Sequence, residues 1–429
     1  MAKRDYHKSK VGAHALQPET LMLNFGFDPA LSEGAVKTPI FLTSTFVYRT
    51  CEEGERLFDH IAGRRPLPKG AEEGLIYTRF NNPNLQIVEE RLAVLEKGEA
   101  CAVFSSGMAA ILTTVLAISS PGEAVLRSDQ LYGGAETLFD TLLAKWGLRS
   151  ARFEDGVDPE SVRVGAKAAE ALGEVAAIYV ETPSNPTNSV VDLDLVARIA
   201  GEIEGRQGRR PLLICDNTLL GPLHQSPLAH GADLVVYSLT KYVGGHSDLI
   251  AGAAIGRAEP MAKVRSLRNL IGNQLDVNSC WMLTRSLETL RLRIDRAFAS
   301  AREVANWLSR RPEVEKVAWL GAIDPDSPEG EASARQSDGT GATFSFVVKG
   351  GRSAAFKVLD TLEVIKLAVS LGGTESLACH PGTTTHSGVP AKTRQRLGIE
   401  EGMIRISIGL EAASDLIADL ERGLDALSS

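Results

Sequence analysis

Cysteine is scarce and scattered in this sequence of 429 residues. The five cysteines form no CxxC pair, so the pattern indicates neither a disulfide framework nor a zinc site. Basic charge is also in deficit, since 46 Lys and Arg stand against 54 Asp and Glu, a formal net charge of −8. This balance argues against a nucleic-acid or anionic-membrane binder. The polar N-terminal stretch lacks the apolar segment of a signal peptide, and we expect a cytoplasmic protein.

Long apolar runs are missing as well. The uncharged stretch 100–122, ACAVFSSGMAAILTTVLAISSPG, is diluted by Ser, Thr and Gly. A membrane-spanning helix needs about 20 predominantly apolar residues. We therefore predict a short strand, a Ser-Ser-Gly turn and a buried helix that ends at Pro121, and no membrane partner.

The composition is otherwise that of a globular protein, with 44% hydrophobic and 23% charged residues. Residues 1–80, irregular to about residue 75, predict an arm that packs against something else. In 81–285, apolar runs alternate with amphipathic stretches, which predicts a mainly parallel sheet with intervening helices. A long charged helix (287–310) opens 286–429, where separated strands and a terminal helix predict a smaller α+β domain. The buried strands predicted for the large domain are 175–181, 211–217, 232–238 and 249–256.

Polar side chains close three of these strands. They are Asn185 in a Pro-rich turn, Asp216, and the group Ser238, Thr240 and Lys241. Ligands of open α/β sheets bind beyond the carboxyl ends of the strands. An acid, an amide, hydroxyls and a lysine at one crevice suit an aldehyde cofactor that the lysine holds as a Schiff base. Each residue alone has an ordinary alternative, such as a turn cap or a solvated lysine.

A second phosphate-binding element is FSSGMAA, which follows the strand-like run ACAVF. Gly107 allows the turn there. The amides of Gly107 and Met108 would open a helix whose N-terminus favours an anion.

Several motifs carry a resemblance to a known family. They are SLTKYVGGHSDLIAGA, ETPSNPTN, CDNT, LYGG, YTRFNNPN and SLGGTESL followed by HPGTTTHSGVP. In order and spacing, from about residue 18 to the C-terminus, they resemble the cystathionine and methionine metabolism family of pyridoxal-phosphate (PLP) enzymes. The resemblance implies the fold-type I architecture, a mainly parallel sheet with helices on both faces and a smaller C-terminal α+β domain.

The resemblance also implies roles for individual residues. Lys241 would form the Schiff base and carry the Cα and Cβ protons, and Asp216 would pair with the pyridine nitrogen. Asn185 would bond the ring hydroxyl, and Tyr132 would lie over the ring and protonate the leaving group. The phosphate would bind Gly107, Met108, Ser238 and Thr240.

Two further groups complete the implied site. Arg405 and Ser370 would hold the substrate carboxylate. Tyr77 and Arg79 would reach the phosphate of a neighbouring subunit, which makes 1–80 an arm that contacts that subunit and implies at least a dimer, with a homotetramer typical of the family. His380 and His386 lack metal-ligand spacing, and we expect loop or supporting residues and no metal.

The distal end of the substrate pocket distinguishes members of the family. Ile76, Thr137 and Val369 stand where cystathionine enzymes carry charged residues, so a distal amino-acid head group would find no ion-pair partner. This favours γ-elimination from a methionine- or homocysteine-type amino acid, as in methionine γ-lyase, giving 2-oxobutyrate and ammonia. However, Gly134 replaces the pocket cysteine of methionine γ-lyases, and SLGG replaces their SLGD.

Alternatives therefore stay open. One is γ-replacement on an O-acylhomoserine, as in cystathionine γ-synthase or O-acetylhomoserine sulfhydrylase. Another, from a different class, is a non-catalytic, cofactor-binding regulatory homologue. The leaving group, the thiol acceptor and the insertions near 63–70 and 205–210 are not assigned by the sequence.

Overall fold

The computed structural model describes residues 5–66 and 74–428 of the chain. Its largest element is a seven-stranded sheet. Across the sheet the strands are Ala100–Phe104, Gly252–Gly256, Leu234–Tyr237, Leu212–Asp216, Val175–Glu181, Ala124–Ser128 and Arg149–Phe153. Gly252–Gly256 is antiparallel to both of its neighbours, and the other six strands share one direction. The predicted mainly parallel sheet is confirmed.

Helices cover both faces of this sheet, which explains why its strands read as nearly continuous apolar runs. On one face, Ala177 and Tyr179 share a core with the helices Gly107–Ile118 and Ala258–Ile271. On the other face, Ile178 and Val180 pack with helices at 159–170 and 193–207. Successive residues of one strand thus belong to opposite cores.

A second sheet lies toward the C-terminus. Its five strands are, in order, Val314–Ala318, Thr343–Val348, Met403–Ser407, Leu377–Cys379 and Lys366–Leu367. A small hairpin pairs Lys10–Val11 with His14–Ala15. The α-helices are Pro18–Asn24, Cys51–Ile61, Pro83–Glu96, Gly107–Ile118, Gly133–Thr137, Pro159–Glu170, Leu193–Gln207, Ala258–Ile271, Val277–Leu287, Leu290–Leu308, Pro328–Gln336, Gly351–Thr361, Ala391–Arg396 and Ala413–Asp425.

One expectation for the helices is wrong. The first 75 residues are not irregular throughout, because they contain Pro18–Asn24 and Cys51–Ile61. The charged helix expected at 287–310 is present as Leu290–Leu308, and a separate helix, Val277–Leu287, ends just before it. The guanidinium of Arg293 donates to the carbonyl of Ser286 at 2.9 Å, so a carbonyl at the end of the first helix gains a partner outside it.

Other expectations are met or stay predictions. The stretch 100–122 forms a strand and a buried helix, and no helix within the described residues is long and apolar enough to cross a membrane. The two sheets use residues 100–256 and 314–407, but the bounds 1–80, 81–285 and 286–429, and the contact of the arm with another subunit, stay predictions. The loop 63–70 lies partly outside the described residues.

Candidate active site

Three neighbouring parallel strands bring the predicted cofactor residues to one edge of the large sheet. In sheet order they are Val175–Glu181, Leu212–Asp216 and Leu234–Tyr237. Glu181 is directly opposite Asp216 in the strand register. Asn185 and Lys241 follow the first and third strands by four residues each, so the side chains converge at the carboxyl edge, where such sheets bind ligands.

Lys241 has an amine adapted to nucleophilic chemistry. Its Nζ donates to the Oγ of Ser370 at 3.0 Å. Burial, and secondly the positive charge of Arg405, lower the pKa of Lys241 from 10.5 to about 8. A lysine whose pKa is depressed in this way has a sizeable neutral fraction near neutral pH, as nucleophilic and basic lysines require.

Asp216 is buried and surrounded by donors. Thr218 donates to Oδ1 through its hydroxyl at 2.6 Å and its backbone N–H at 3.0 Å, and the hydroxyl of Tyr179 donates to Oδ2 at 3.3 Å. Burial nevertheless raises the pKa of Asp216, and the bonds from Thr218 and Tyr179 oppose that rise. A cationic partner, such as a protonated ring nitrogen, would stabilise the ionised form of this buried carboxylate.

Arg405 lies across from these residues on the strand Met403–Ser407 of the second sheet. Its Nη2 donates to the carbonyl of Ser370 at 2.8 Å, and its Nη1 to Oδ1 of Asn185 at 3.4 Å. Its Nε is buried and has no partner among the described residues. Ser370 is held at φ +90°, a conformation rare outside glycine. Arg405 therefore retains a donor for a further anion.

The turn before Gly107–Ile118 adjoins Ser238. A Cβ on Gly107 would stand 2.9 Å from the Cβ of Ser238, so only glycine fits there without displacing the third strand end. Ser106 caps the helix, its Oγ accepting the N–H of Ala109. The N–H groups of Gly107 and Met108 have no recorded protein acceptor in the described part of the chain, and they form the positive helix end at this edge.

The two hydroxyls expected to bind phosphate differ. The Oγ1 of Thr240 donates to the carbonyl of Ala251 at 3.1 Å and accepts the N–H of Ala251 at 3.0 Å. Its only proton is therefore in use. Ser238 holds its strand end through its backbone N–H, which donates to Thr218, and its hydroxyl is half-buried beside Gly107. Ser238 is the better phosphate donor in this arrangement, and both assignments stay predictions.

Tyr132 and Gly134 form a close pair. The phenol ring of Tyr132 is 40% exposed, and a Cβ on Gly134 would stand 2.5 Å from its Cε1. The same Cβ would be 3.3 Å from the sulfur of Met108. Glycine at position 134 therefore leaves room for the ring of Tyr132, whereas the side chain of a cysteine at this position would displace the ring.

Ile76, Tyr77 and Arg79, which belong to the expected arm, form no hydrogen bond with the cluster around Lys241 within the described part of the chain. The guanidinium of Arg79 bonds the carbonyl of Asn269 and stacks 4.3 Å from the ring centre of Phe80. Tyr77 is 41% exposed, while Ile76 is buried. The role of Tyr77 and Arg79 in a neighbouring subunit's site stays a prediction, as does the role of Ile76 in the distal pocket.

Thr137 and Val369 are exposed. The hydroxyl of Thr137 bonds the carbonyl of Gly133, next to Tyr132, at 3.0 Å, and Val369 directly precedes Ser370. Both therefore flank the cluster. Their role in the distal pocket stays a prediction.

Sequence reasoning gave no role to Thr218 or Glu181. Glu181 is the last residue of its strand, and its two carboxylate oxygens accept the backbone N–H groups of Tyr132 at 2.7 Å and Asn185 at 3.0 Å. Both residues lie in motifs of the sequence, CDNT and ETPSNPTN. The sequence does not show which groups their side chains bond. The sequence signal was a polar residue at the end of an apolar run.

Both histidines of the HPGTTTH motif are buried, and their supporting role stays a prediction. His386 is buried, and burial, followed by the charge of Arg405, lowers its pKa from 6.5 to about 4. His380 bonds the carbonyl of Glu401 through Nε2 at 2.9 Å. No group of three metal-ligating side chains occurs in the part of the chain that the structure describes.

Comparison with known proteins identifies the family. The model of the family described as Cys/Met metabolism PLP-dependent enzyme matches residues 19–425. The chain belongs to this family of PLP-dependent enzymes. The implied cofactor and fold class are therefore confirmed, and the non-catalytic alternative is set aside because this is a family of enzymes.

Relatives of this PLP enzyme differ in their reactions. An L-methionine gamma-lyase of Pseudomonas deceptionensis is 36% identical over 412 residues, 95% of this chain and 97% of the relative. An O-succinylhomoserine sulfhydrylase of Pseudomonas aeruginosa is 36% identical over 396 residues, 92% of each chain. The crystal structure of a cystathionine gamma synthase from Xanthomonas oryzae pv. oryzae, in complex with aminoacrylate and cysteine, matches with a TM-score of 0.85 at 33% identity, covering 96% of this chain and 99% of that one.

The residues present fit PLP. Lys241 offers a partly neutral amine, Asp216 a buried acid without a cationic partner among its recorded contacts, and Gly107 a turn with free N–H groups. The unpartnered Nε of Arg405 suits the carboxylate of an amino-acid substrate. Lys241 would bind the aldehyde of PLP, Asp216 its pyridine nitrogen and the Gly107 turn its phosphate. Arg405 would bind the substrate.

Proposed function

We propose that this enzyme catalyses γ-elimination from an L-methionine- or L-homocysteine-type amino acid. With water, the substrate yields 2-oxobutyrate, ammonia and the thiol that leaves from the γ-carbon. The observation that carries this choice is that, among the described residues, the positions expected to line the distal pocket carry no charge. Thr137 and Val369 are uncharged, and both flank the cluster around Lys241.

Two charged side chains, Glu136 and Arg64, could take the place of the missing ones, but both are already in ion pairs. Glu136 is buried, and its Oε2 lies 2.9 Å from Arg127 and 3.1 Å from Arg152. Arg64 lies 2.7 Å from Asp59. Breaking a buried pair to bind a substrate ammonium leaves another charge uncompensated. A small uncharged γ-substituent avoids this cost.

The residues then divide the work. When bound, PLP supplies an electron sink for the carbanion formed at the substrate Cα. Arg405 binds the substrate carboxylate. Lys241 removes the Cα proton and carries a Cβ proton, and Tyr132 donates a proton to the leaving sulfur. Asp216 holds a proton on the ring nitrogen.

Further residues hold the cofactor in place. In this proposal Ser238 and the N–H groups of Gly107 and Met108 bind its phosphate, with Thr240 adding a contact if its hydroxyl rotates away from Ala251. Asn185 bonds the ring hydroxyl. Each of these contacts fixes the ring so that Lys241 reaches the Cα proton.

Tyr77 and Arg79 are proposed to complete the phosphate site of a neighbouring subunit within a homotetramer built from dimers. Supporting this, Tyr77 is 41% exposed, and the guanidinium of Arg79 bonds the carbonyl of Asn269 and no side chain of the cluster around Lys241. The arm that carries them also exposes large apolar side chains, including Val36, Leu42 and Val47. Burial of such a surface against a second copy is favourable.

A second candidate is γ-replacement on an O-acylhomoserine, which the sulfhydrylase and synthase relatives favour. The same residues serve both reactions. Replacement results when a thiol adds at the γ-carbon in place of the lost group. The family covers substrates that are sulfur-containing or O-acylated amino acids, so one panel of substrates separates the candidates.

The test is an assay of 2-oxobutyrate with methionine, homocysteine, cystathionine and O-acetylhomoserine, and of homocysteine formed from O-acetylhomoserine with and without sulfide. An unpaired buried charge costs several kcal/mol, and about 1.4 kcal/mol is tenfold in specificity. Short substrates should therefore exceed cystathionine by ~100-fold or more in kcat/KM. Formation of homocysteine and acetate from O-acetylhomoserine and sulfide, without 2-oxobutyrate from methionine, would favour replacement.

Val369→Glu tests the pocket itself. A carboxylate beside Ser370 offers the distal ammonium of cystathionine a partner, so the gap between short substrates and cystathionine should narrow. Val164→Glu, at an exposed position on the helix 159–170, is the matched control and should leave the ratio unchanged. Equal use of cystathionine and methionine by the wild-type enzyme contradicts the proposal.

A further inference from the structure

Glu181 is a buried carboxylate to which the proposed reaction gives no task. It ends the strand Val175–Glu181 and is only 3% exposed. Its Oε2 accepts the backbone N–H of Tyr132 at 2.7 Å, and its Oε1 accepts that of Asn185 at 3.0 Å. One side chain thus ties two loops that are 53 positions apart in sequence, from 132 to 185.

These two loops carry residues proposed to contact the cofactor from different sides. Tyr132 is assigned to the face of the ring and Asn185 to its hydroxyl. Asn185 also accepts from Arg405, so its position affects the substrate carboxylate site. A shift of either loop would change the placement of the ring relative to Lys241.

The chemistry of the contacts requires a carboxylate. Both partners are N–H donors, and an ionised carboxylate offers acceptors on both oxygens. A glutamine of the same size would present its NH₂ group to one of the two donors, so one contact must break. Backbone N–H groups left unpaired in a buried site are costly, and the loop concerned would move.

The two N–H groups that Glu181 accepts are the contacts that favour its ionised form, because both lower its pKa. Burial, and secondly the negative charge of Asp216, raise the pKa of Glu181 well above its usual value. A neutral residue would avoid this repulsion. Among the groups near Glu181, Glu136 adds to the same effect.

We propose that Glu181 is a positioning residue, whose carboxylate fixes the spacing between the Tyr132 and Asn185 loops and so sets the orientation of the cofactor ring. The inference rests on the roles proposed above for Tyr132 and Asn185. It concerns how the ring is oriented and not which substrate is used. It can therefore fail or hold independently of the γ-elimination assignment.

Glu181→Gln in the holoenzyme tests this. Misplacement of reacting groups by about 1 Å can cost roughly 100-fold in rate, so kcat should fall by ~10- to 100-fold while KM changes by less than about threefold. The visible circular dichroism of bound PLP, which reports ring orientation and needs no substrate, should change in amplitude. Unchanged dichroism together with unchanged kcat overturns the proposal.

Asp419→Asn is the matched control. Asp419 is also a buried carboxylate that holds loop amides, accepting the N–H groups of Glu363, Val364 and Ile365 at 2.8–2.9 Å, but it lies on the C-terminal helix. The Asp419→Asn substitution should lower the Tm and leave the dichroism of bound PLP and kcat unchanged. If Glu181→Gln behaves as this control does, Glu181 is a structural residue only and the proposal is wrong.

A second measurement uses the wild-type holoenzyme and so covers a Glu181→Gln protein that does not fold. The backbone amides of Tyr132 and Asn185 should both be protected from hydrogen exchange, although the Tyr132 side chain is 40% exposed. Rapid exchange of either amide overturns the proposal. If the wild-type enzyme shows the dichroism of bound PLP but no 2-oxobutyrate from methionine, the reaction assignment fails and the Glu181 inference is still tested by the spectrum.

Discussion

The depressed pKa of Lys241 leads to a quantitative prediction for the apo-enzyme. An ordinary lysine, with a pKa of 10.5, is neutral in roughly one molecule in 3,000 at pH 7. At a pKa of about 8 the neutral fraction at pH 7 is roughly one in ten. Because only the neutral amine attacks an aldehyde, the rate of covalent capture of PLP should rise about tenfold per pH unit below 8 and level off above it.

The assay mixes apo-enzyme with PLP at pH values from 6 to 10, stops the reaction with borohydride and quantifies the Lys241 adduct by mass spectrometry. N-acetyl-lysine treated in parallel gives the inflection of an unperturbed amine. Burial is the first cause of the shift and Arg405 the second, so Arg405→Gln should move the inflection above 8 but not to 10.5. The sign follows because removing a nearby positive charge favours the protonated amine.

Arg352→Gln serves as the control for loss of an arginine, since Arg352 is exposed and stacks on Phe356. It should leave the inflection near 8. A wild-type inflection near 10.5 would refute the reasoning about burial. An Arg405→Gln inflection below that of the wild type would refute the reasoning about charge.

Two further predictions concern the cofactor site. Asp216→Ala should retain PLP but slow removal of the Cα proton severely, measured as exchange of that proton with deuterated solvent, because an unprotonated pyridine is a poor electron sink; near-native exchange would contradict the role of Asp216. Arg79→Ala should weaken retention of PLP, measured by dialysis. Mixing it with Lys241→Ala should restore part of the activity through hybrid sites, and verified mixed oligomers without recovery would contradict a site shared between subunits.

Much of the large sheet could be predicted because its strands are apolar runs between turn residues. Val175–Glu181 has the predicted bounds, and Leu212–Asp216 and Leu234–Tyr237 lie inside theirs. Direction could not be predicted: an apolar run of small residues does not reveal that Gly252–Gly256 is antiparallel to its neighbours. Strand direction depends on how the chain returns to the sheet, which is a tertiary property.

Residues of the candidate site could be predicted where the type of side chain itself indicates the chemical role, as with Lys241 and Asp216. It was not predictable where the function of a residue depends on distant backbone. The carboxylate of Glu181 bonds an amide 49 positions earlier, and the guanidinium of Arg293 bonds a carbonyl seven positions earlier, in the preceding helix. Periodicity reports which face of an element is apolar and gives no information about such partners. Tyr77 and Arg79 depend on a second chain altogether.

The residues of the candidate site come from two sheets, so substitutions in the two parts of the chain should have different effects. Asp216, Ser238 and Lys241 follow strands of the large sheet, whereas Arg405 and Ser370 belong to the C-terminal part of the chain. The bonds Lys241–Ser370 and Arg405–Asn185 join the two parts. If Val369 lines the distal pocket as proposed, substitutions near residue 369 should alter which amino acid is accepted while Asp216 stays in place. Relatives with similar sequence identity to this chain could therefore differ in substrate and keep the same catalytic residues.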